Sequence, residues 1–255
     1  MSGASNNESR LGASLAGQFN INTNPELLIA MAKSITPEVF AGYLDELTEK
    51  YTADISSLRE QYETTETVGK IIKNNPALLD DTSTLAALRL VNVTCNMPNA
   101  SMFINNHTIP MIGGDNGVDF DKCFRSLMEE TWVEPDTLDP YLCQIDSETV
   151  RQYVLKAKES EYSSKRYKDC AQILAGFLEK NPVEDINGKT LMPIAIDVAN
   201  IACDINLIAQ IDSYYAELKE LNNNTPDDAF LKRIADYQDN FDRESDNVPN
   251  APAND

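Results

Sequence analysis

Apolar positions recur every three or four residues along most of the chain, the spacing of one face of an α-helix. After Thr36 come Phe40, Tyr43, Leu44, Leu47, Tyr51, Ile55, Leu58 and Tyr62, which predict one long amphipathic helix over 37–63. The punctuation agrees. Asn24-Pro25-Glu26 and Thr36-Pro37-Glu38 each place a capping residue, then Pro at the first helical position, then an acid near the positive dipole end. A Thr-rich link leads to Val68, Ile71 and Ile72, and Asn75-Pro76 is a break. Asp81, Thr82 or Ser83 then caps a helix to about residue 92. The spacing returns at 119 and predicts helices over about 120–131, 147–164, 166–180, 189–203, 205–222 and 226–242. Asp119 is the expected cap of the first of these. The short joints at Lys165-Arg166, Pro182 to Gly188 and Asp204 make neighbours antiparallel.

Between 92 and 118 the helical period vanishes and Asn, Pro and Gly accumulate. Residues 101–112 alternate about Asn105-Asn106, which predicts a small hairpin or ordered loop, with Pro110 confining it to an edge. Residues 1–20 read as a flexible tail in which Leu11, Leu15 and Phe19 fall four apart, and 244–255 as a disordered acidic tail. The expected fold is therefore all-α. It consists of antiparallel helical hairpins, as a bundle or short solenoid, with a hairpin or loop insertion near 92–118. The expected division is an N-terminal helical region over 21–118 and C-terminal hairpins over 119–243.

Composition narrows the function classes. Of 255 residues, 42% are hydrophobic and 24% charged, so the chain can build a core. Forty-one acids against 21 Lys and Arg give a net charge of −20, which repels phosphates and argues against direct binding of a nucleic-acid backbone. No apolar run approaches the roughly 20 residues that span a bilayer, so no membrane partner is expected. The start carries no basic n-region or apolar h-region. The five cysteines, Cys95, Cys123, Cys143, Cys170 and Cys203, are widely spaced and never in a C-x-x-C pair; they read as small buried hydrophobes in a reducing compartment. The expected location is the cytoplasm, or a virion assembled in it. Sequons at Asn92, Asn99, Asn106 and Asn223 carry little weight in that setting.

Catalytic patterns are sparse. His107 is the single histidine and sits in the Asn-rich loop, which leaves hydrolytic dyads and triads one candidate base. Gly113-Gly114-Asp115-Asn116-Gly117 is not followed by Gly-Lys-Ser/Thr and reads as a turn. Asp115 to Asp121 offers alternate oxygens, but Phe120 stands where a calcium loop needs its sharp-turn Gly and Ser126 where it needs a bidentate Glu. No cofactor or metal is expected. Aromatic residues that can anchor a partner are Trp132 at the middle joint and Tyr162, Tyr167, Tyr214 and Tyr215 on the hairpins.

Residues 157–182 resemble a tetratricopeptide-type repeat: Tyr167 opens the second helix, Cys170 follows three later, and Asn181-Pro182 closes it. Phe177 is bulky where that family prefers a small residue. With the long helix over 37–62 and the hairpins over 150–222, the order of parts resembles the helical-repeat subunits of the proteasome lid, the signalosome and translation initiation factor 3, nearest its e subunit. The 92–118 loop is foreign to them. The resemblance implies a scaffold. The expected function is thus a non-enzymatic subunit of a larger assembly, acting on other subunits or on copies of itself. A virion or phage structural or assembly protein is the second version. The other expectations are an acidic nucleic-acid-mimic inhibitor and an enzyme using scattered carboxylates with a divalent metal.

Overall fold

A computed structural model of the chain describes residues 30, 32–53, 58–95, 117–158, 163–181 and 188–222. These are 86% helical and form nine α-helices with no strand among the described residues. The chain divides into two compact units, Met1–Lys156 and Ala157–Asp255. The division expected after residue 118 lies elsewhere because the helix that follows that point packs back on the N-terminal helices. The hairpin or loop of 101–112, His107, the helix over 226–242 and both tails lie outside the described residues.

In the first unit, α1 (Pro37–Ala53) begins as expected. The Thr36 hydroxyl accepts from Val39 N at 3.4 Å and its carbonyl from Phe40 N at 3.0 Å. Phe40, Leu44, Leu47 and Tyr51 form its buried stripe. The long helix expected over 37–63 is instead two, α1 and a second helix, α2 (Leu58–Asn74), whose N-terminal half meets the end of α1. The hydroxyls of Tyr51 and Thr64, thirteen residues apart, hydrogen-bond to one another, and Lys50 Nζ reaches Glu60 Oε1 at 2.6 Å. In one continuous helix a thirteen-residue separation would be about 20 Å along the axis.

The Thr-rich stretch expected as a link is the middle of α2. Thr64, Thr65 and Thr67 are buried, and each hydroxyl donates to the carbonyl four residues back at 2.7–3.0 Å. This back-bonding lets threonine enter a helical core with its hydroxyl satisfied. At Asn75-Pro76 the helix stops. A short 3-10 turn, Pro76–Leu78, then buries Leu78.

The centre of the unit is α3 (Asp81–Cys95), most of whose side chains are buried. Its cap is Asp80, one residue earlier than expected: Ser83 N donates to Asp80 Oδ1 at 2.8 Å and Asp80 N to Ser83 Oγ at 2.9 Å, a reciprocal capping box. α3 packs along α1, on α4 (Phe120–Glu130) and on the single turn α5 (Pro135–Leu138). Before α4, Gly117 adopts φ +71°, a left-handed conformation that glycine takes without strain. Asp119 caps α4 through Lys122 N at 3.0 Å. Asp121, in its first turn, accepts from Asp146 N at 2.8 Å and from the Thr149 hydroxyl at 2.6 Å. Asp146 in turn caps α6 (Ser147–Lys158) through Thr149 N at 2.7 Å.

The second unit contains α7 (Ser163–Lys180), α8 (Gly188–Ala202) and α9 (Ile205–Asn222), each packed on the other two. Cys170, Ile173, Leu174 and Phe177 of α7 meet an interior supplied by Leu191, Met192, Ala195 and Val198 of α8 and by Leu207, Ile211 and Tyr214 of α9. Asn181 ends α7: its backbone N and its side-chain Nδ2 both donate to Phe177 O, at 3.1 and 2.8 Å. Pro193 lies inside α8, which continues although Pro cannot donate to the carbonyl four residues back. Two residues join α8 to α9. Cys203, at φ +52°, donates its N–H to Ala199 O at 2.9 Å, and Asp204 caps α9 through Leu207 N at 2.9 Å. α8 and α9 thus form a tight helical hairpin.

Candidate functional site

Burial pushes the thiols of Cys95 and Cys123 up to about 12, which keeps both protonated and unreactive at neutral pH. Cys170 is also buried; Cys143 and Cys203 are exposed, a correction to the expectation that all five cysteines pack as hydrophobes. Burial likewise pushes the Tyr51 hydroxyl up to about 12, against the opposing hydrogen bond to Thr64. Among the described residues no three His, Cys, Asp or Glu side chains gather where they can hold a metal ion. Asp119 and Asp121, the described part of the candidate calcium stretch, spend their oxygens on helix starts.

Around the middle joint the chain is locked by side chains rather than open to a ligand. Asn92, 6% exposed, donates to Trp132 O at 2.9 Å and accepts from Glu134 N at 2.8 Å and the Thr137 hydroxyl at 3.2 Å. The Tyr153 hydroxyl donates to Val133 O at 3.0 Å, and the Trp132 ring lies against the Tyr153 ring at 4.6 Å. Tyr141 packs between Phe120 and Phe124 with centroids 4.9 and 5.4 Å away. Burial of Asn92 also closes its sequon to glycosylation in the folded chain.

The five expected anchor residues therefore separate. Trp132 is half-buried and stacked inside the first unit. Tyr167 is half-buried on α7. Tyr214, 3% exposed, belongs to the core of the second unit rather than to a docking face. Tyr162 and the Tyr215 side chain lie outside the described residues.

Among the described residues, the exposed large hydrophobics are two aliphatic side chains that a reading centred on aromatic anchors does not single out: Ile201, 53% exposed, and Ile205, 69% exposed. They flank the Cys203-Asp204 turn, one at the end of α8 and one at the start of α9. A sequence signal for them exists. α8 is apolar nearly all round, with Leu191, Met192, Ile194, Ile196, Val198 and Ile201 in eleven positions, more than one buried stripe accommodates. What periodicity lacks is which of them the α8–α9 turn leaves outside. From Leu191 to Ala216 the hairpin carries Asp197, Asp204 and Asp212 and no Lys, Arg or His. The arrangement offers apolar contact and negative charge, the makings of a recognition surface. No helix among the described residues is long and apolar enough to cross a membrane. Compared with known protein families, with curated proteins and with solved structures, the chain matches none.

Proposed function

We propose that this chain is a non-enzymatic subunit of a larger protein assembly and works through helical protein–protein interfaces. The observation that supports this best is the isoleucine pair at the α8–α9 turn. Ile201 and Ile205 stand exposed on either side of the capped turn, in a stretch whose only charges are acidic, and exposed apolar side chains grouped together mark interaction sites when they form a contiguous patch. The tetratricopeptide-like pattern of residues 157–182 supports the same reading, since repeats of that type act as scaffolds. On this reading the chain resides in a reducing compartment, where the exposed thiols of Cys143 and Cys203 persist unpaired.

Native affinity purification of the full chain, with mass spectrometry of the intact complex, tests it. Distinct partner subunits at fixed stoichiometry are the expected result. Many copies of this chain in a closed ring or shell would assign it instead to a particle such as a virion. A monomer with no stoichiometric partner would overturn the reading.

A further inference from the structure

The turn between α8 and α9 combines three properties. Ile201 and Ile205 expose their side chains on either side of it. Ile194, Asp197 and Ile201 fall on one face of α8 by helical spacing, and Ile205, Ile208, Ala209 and Asp212 on one face of α9. Over Leu191 to Ala216 the only charged side chains are the three aspartates, on a chain of net charge −20. A second acidic copy would be repelled from such a face, and an uncharged apolar partner would leave its carboxylates without complement.

From this charge pattern we infer that the α8–α9 turn docks a basic amphipathic helix of a partner protein, whose apolar stripe covers Ile201 and Ile205 and whose Lys or Arg residues face Asp197 and Asp212. This rests on the reading that the chain acts through protein interfaces and names the partner chemistry of that surface. Apolar contact supplies affinity, and the aspartates supply orientation and a salt-sensitive association rate. Asp204 is spent on capping α9, so it contributes charge without being free to reorient.

The test uses the full chain and synthetic helical peptides of about 18 residues, roughly five turns. One is Leu/Lys amphipathic, one is its Leu/Glu counterpart, and one carries the Lys residues without an apolar stripe. The first readout needs no substitution. The Leu/Lys peptide is expected to slow alkylation of Cys203 by a bulky maleimide while leaving exposed Cys143 unaffected. The second readout is affinity by fluorescence anisotropy. The double variant I201S/I205S is expected to weaken the Leu/Lys peptide about tenfold or more. The double variant D197N/D212N is expected to weaken it too and to flatten its dependence on salt between about 50 and 300 mM.

Equal binding by wild type and I201S/I205S, with Cys203 unprotected, would show binding by general acidity and overturn the inference. Equal affinity for the Leu/Glu peptide would overturn the charge assignment. The two levels separate in native purification: partners retained equally by wild type and I201S/I205S would remove this surface and leave the assembly reading standing.

Discussion

In the unit that ends at Lys156, the buried side chains include Gln61, Thr64, Thr65, Thr67, Ser83, Thr84, Asn92, Thr94, Thr137 and Thr149. In the unit from Ala157 onward, the buried side chains among the described residues are apolar apart from the Cys170 thiol and the Tyr214 hydroxyl, and half-buried Asp169 adds one buried carboxylate oxygen. Both units are helical, so the contrast is not one of fold class. It lies in how each specifies its arrangement. The first uses hydrogen bonds between residues far apart in sequence, such as Asn92 to the 132–137 joint and Asp121 to the start of α6. Directional bonds of this kind reject wrong packings but leave costly unpaired groups when broken. The second unit uses short joints and apolar stripes, which fix neighbours locally and depend on volume.

Substitutions can break or sharpen this contrast. The single Trp, Trp132, lies in the first unit, so its fluorescence reports that unit while far-UV circular dichroism reports all helices. The largest effect is expected in the second unit: Phe177→Ala should destabilise it by about 4 kcal/mol through the cavity it leaves, seen as an early loss of helical signal in urea. In the first unit, Asn92→Leu keeps the branched outline of the side chain but removes the amide that bonds Glu134 N–H and Trp132 C=O, and should cost about 3 kcal/mol in the Trp132 transition. A near-neutral Asn92→Leu would show that the polar interior is incidental, and the contrast would fail.

Smaller effects refine it. The hydroxyls of Tyr43 and Thr84 are buried and find no hydrogen-bond partner among the described residues. Thr84→Val should therefore stabilise by up to about 1 kcal/mol, the opposite sign to Asn92→Leu, in the same denaturation assay. The smallest effect is in acid. The Arg89 guanidinium grips Glu130 through two bonds of 2.7 and 2.5 Å and holds its carboxyl below the usual glutamate range. A lowered folded-state value means the pair contributes fully above the unfolded value and its contribution is lost as pH falls through the folded one. Both partners are partly exposed, so Glu130→Gln should remove no more than about 1 kcal/mol near neutral pH. It should also flatten the acid limb of a stability–pH curve. Asp45 opposes this: burial raises it despite Arg89 at 3.2 Å, so it does not add to the acid sensitivity.

The helices that open with a capping residue or close on Asn-Pro were legible from sequence: α4, α7 and the α8–α9 hairpin fall close to their expected bounds, and α1 and α6 begin where expected but end earlier. The errors share a physical origin. Ile55 and Leu58 keep the helical spacing across the break between α1 and α2, and the Tyr51–Thr64 pair that records the break is non-local. Thr64 to Thr67 look like a link because threonine is a weak helix former, yet back-bonding and burial overrule that propensity. α3 runs to Cys95 because Asn92 finds its partners some 40 residues further on. The exposed isoleucines were hidden for the converse reason. An apolar helix pattern gives no hint of which residues a tight turn will leave outside.

Asp121 belongs to two helices at once. It occupies the first turn of α4 and holds the backbone amide of Asp146 and the hydroxyl of Thr149 at the start of α6, whose own cap, Asp146, binds Thr149 N. Two helix starts that would otherwise fray separately are thereby tied to one carboxylate. Their amides should exchange with solvent in a single opening event, so that loosening α4 exposes the first turn of α6, and the two behave as one cooperative element of the molecule.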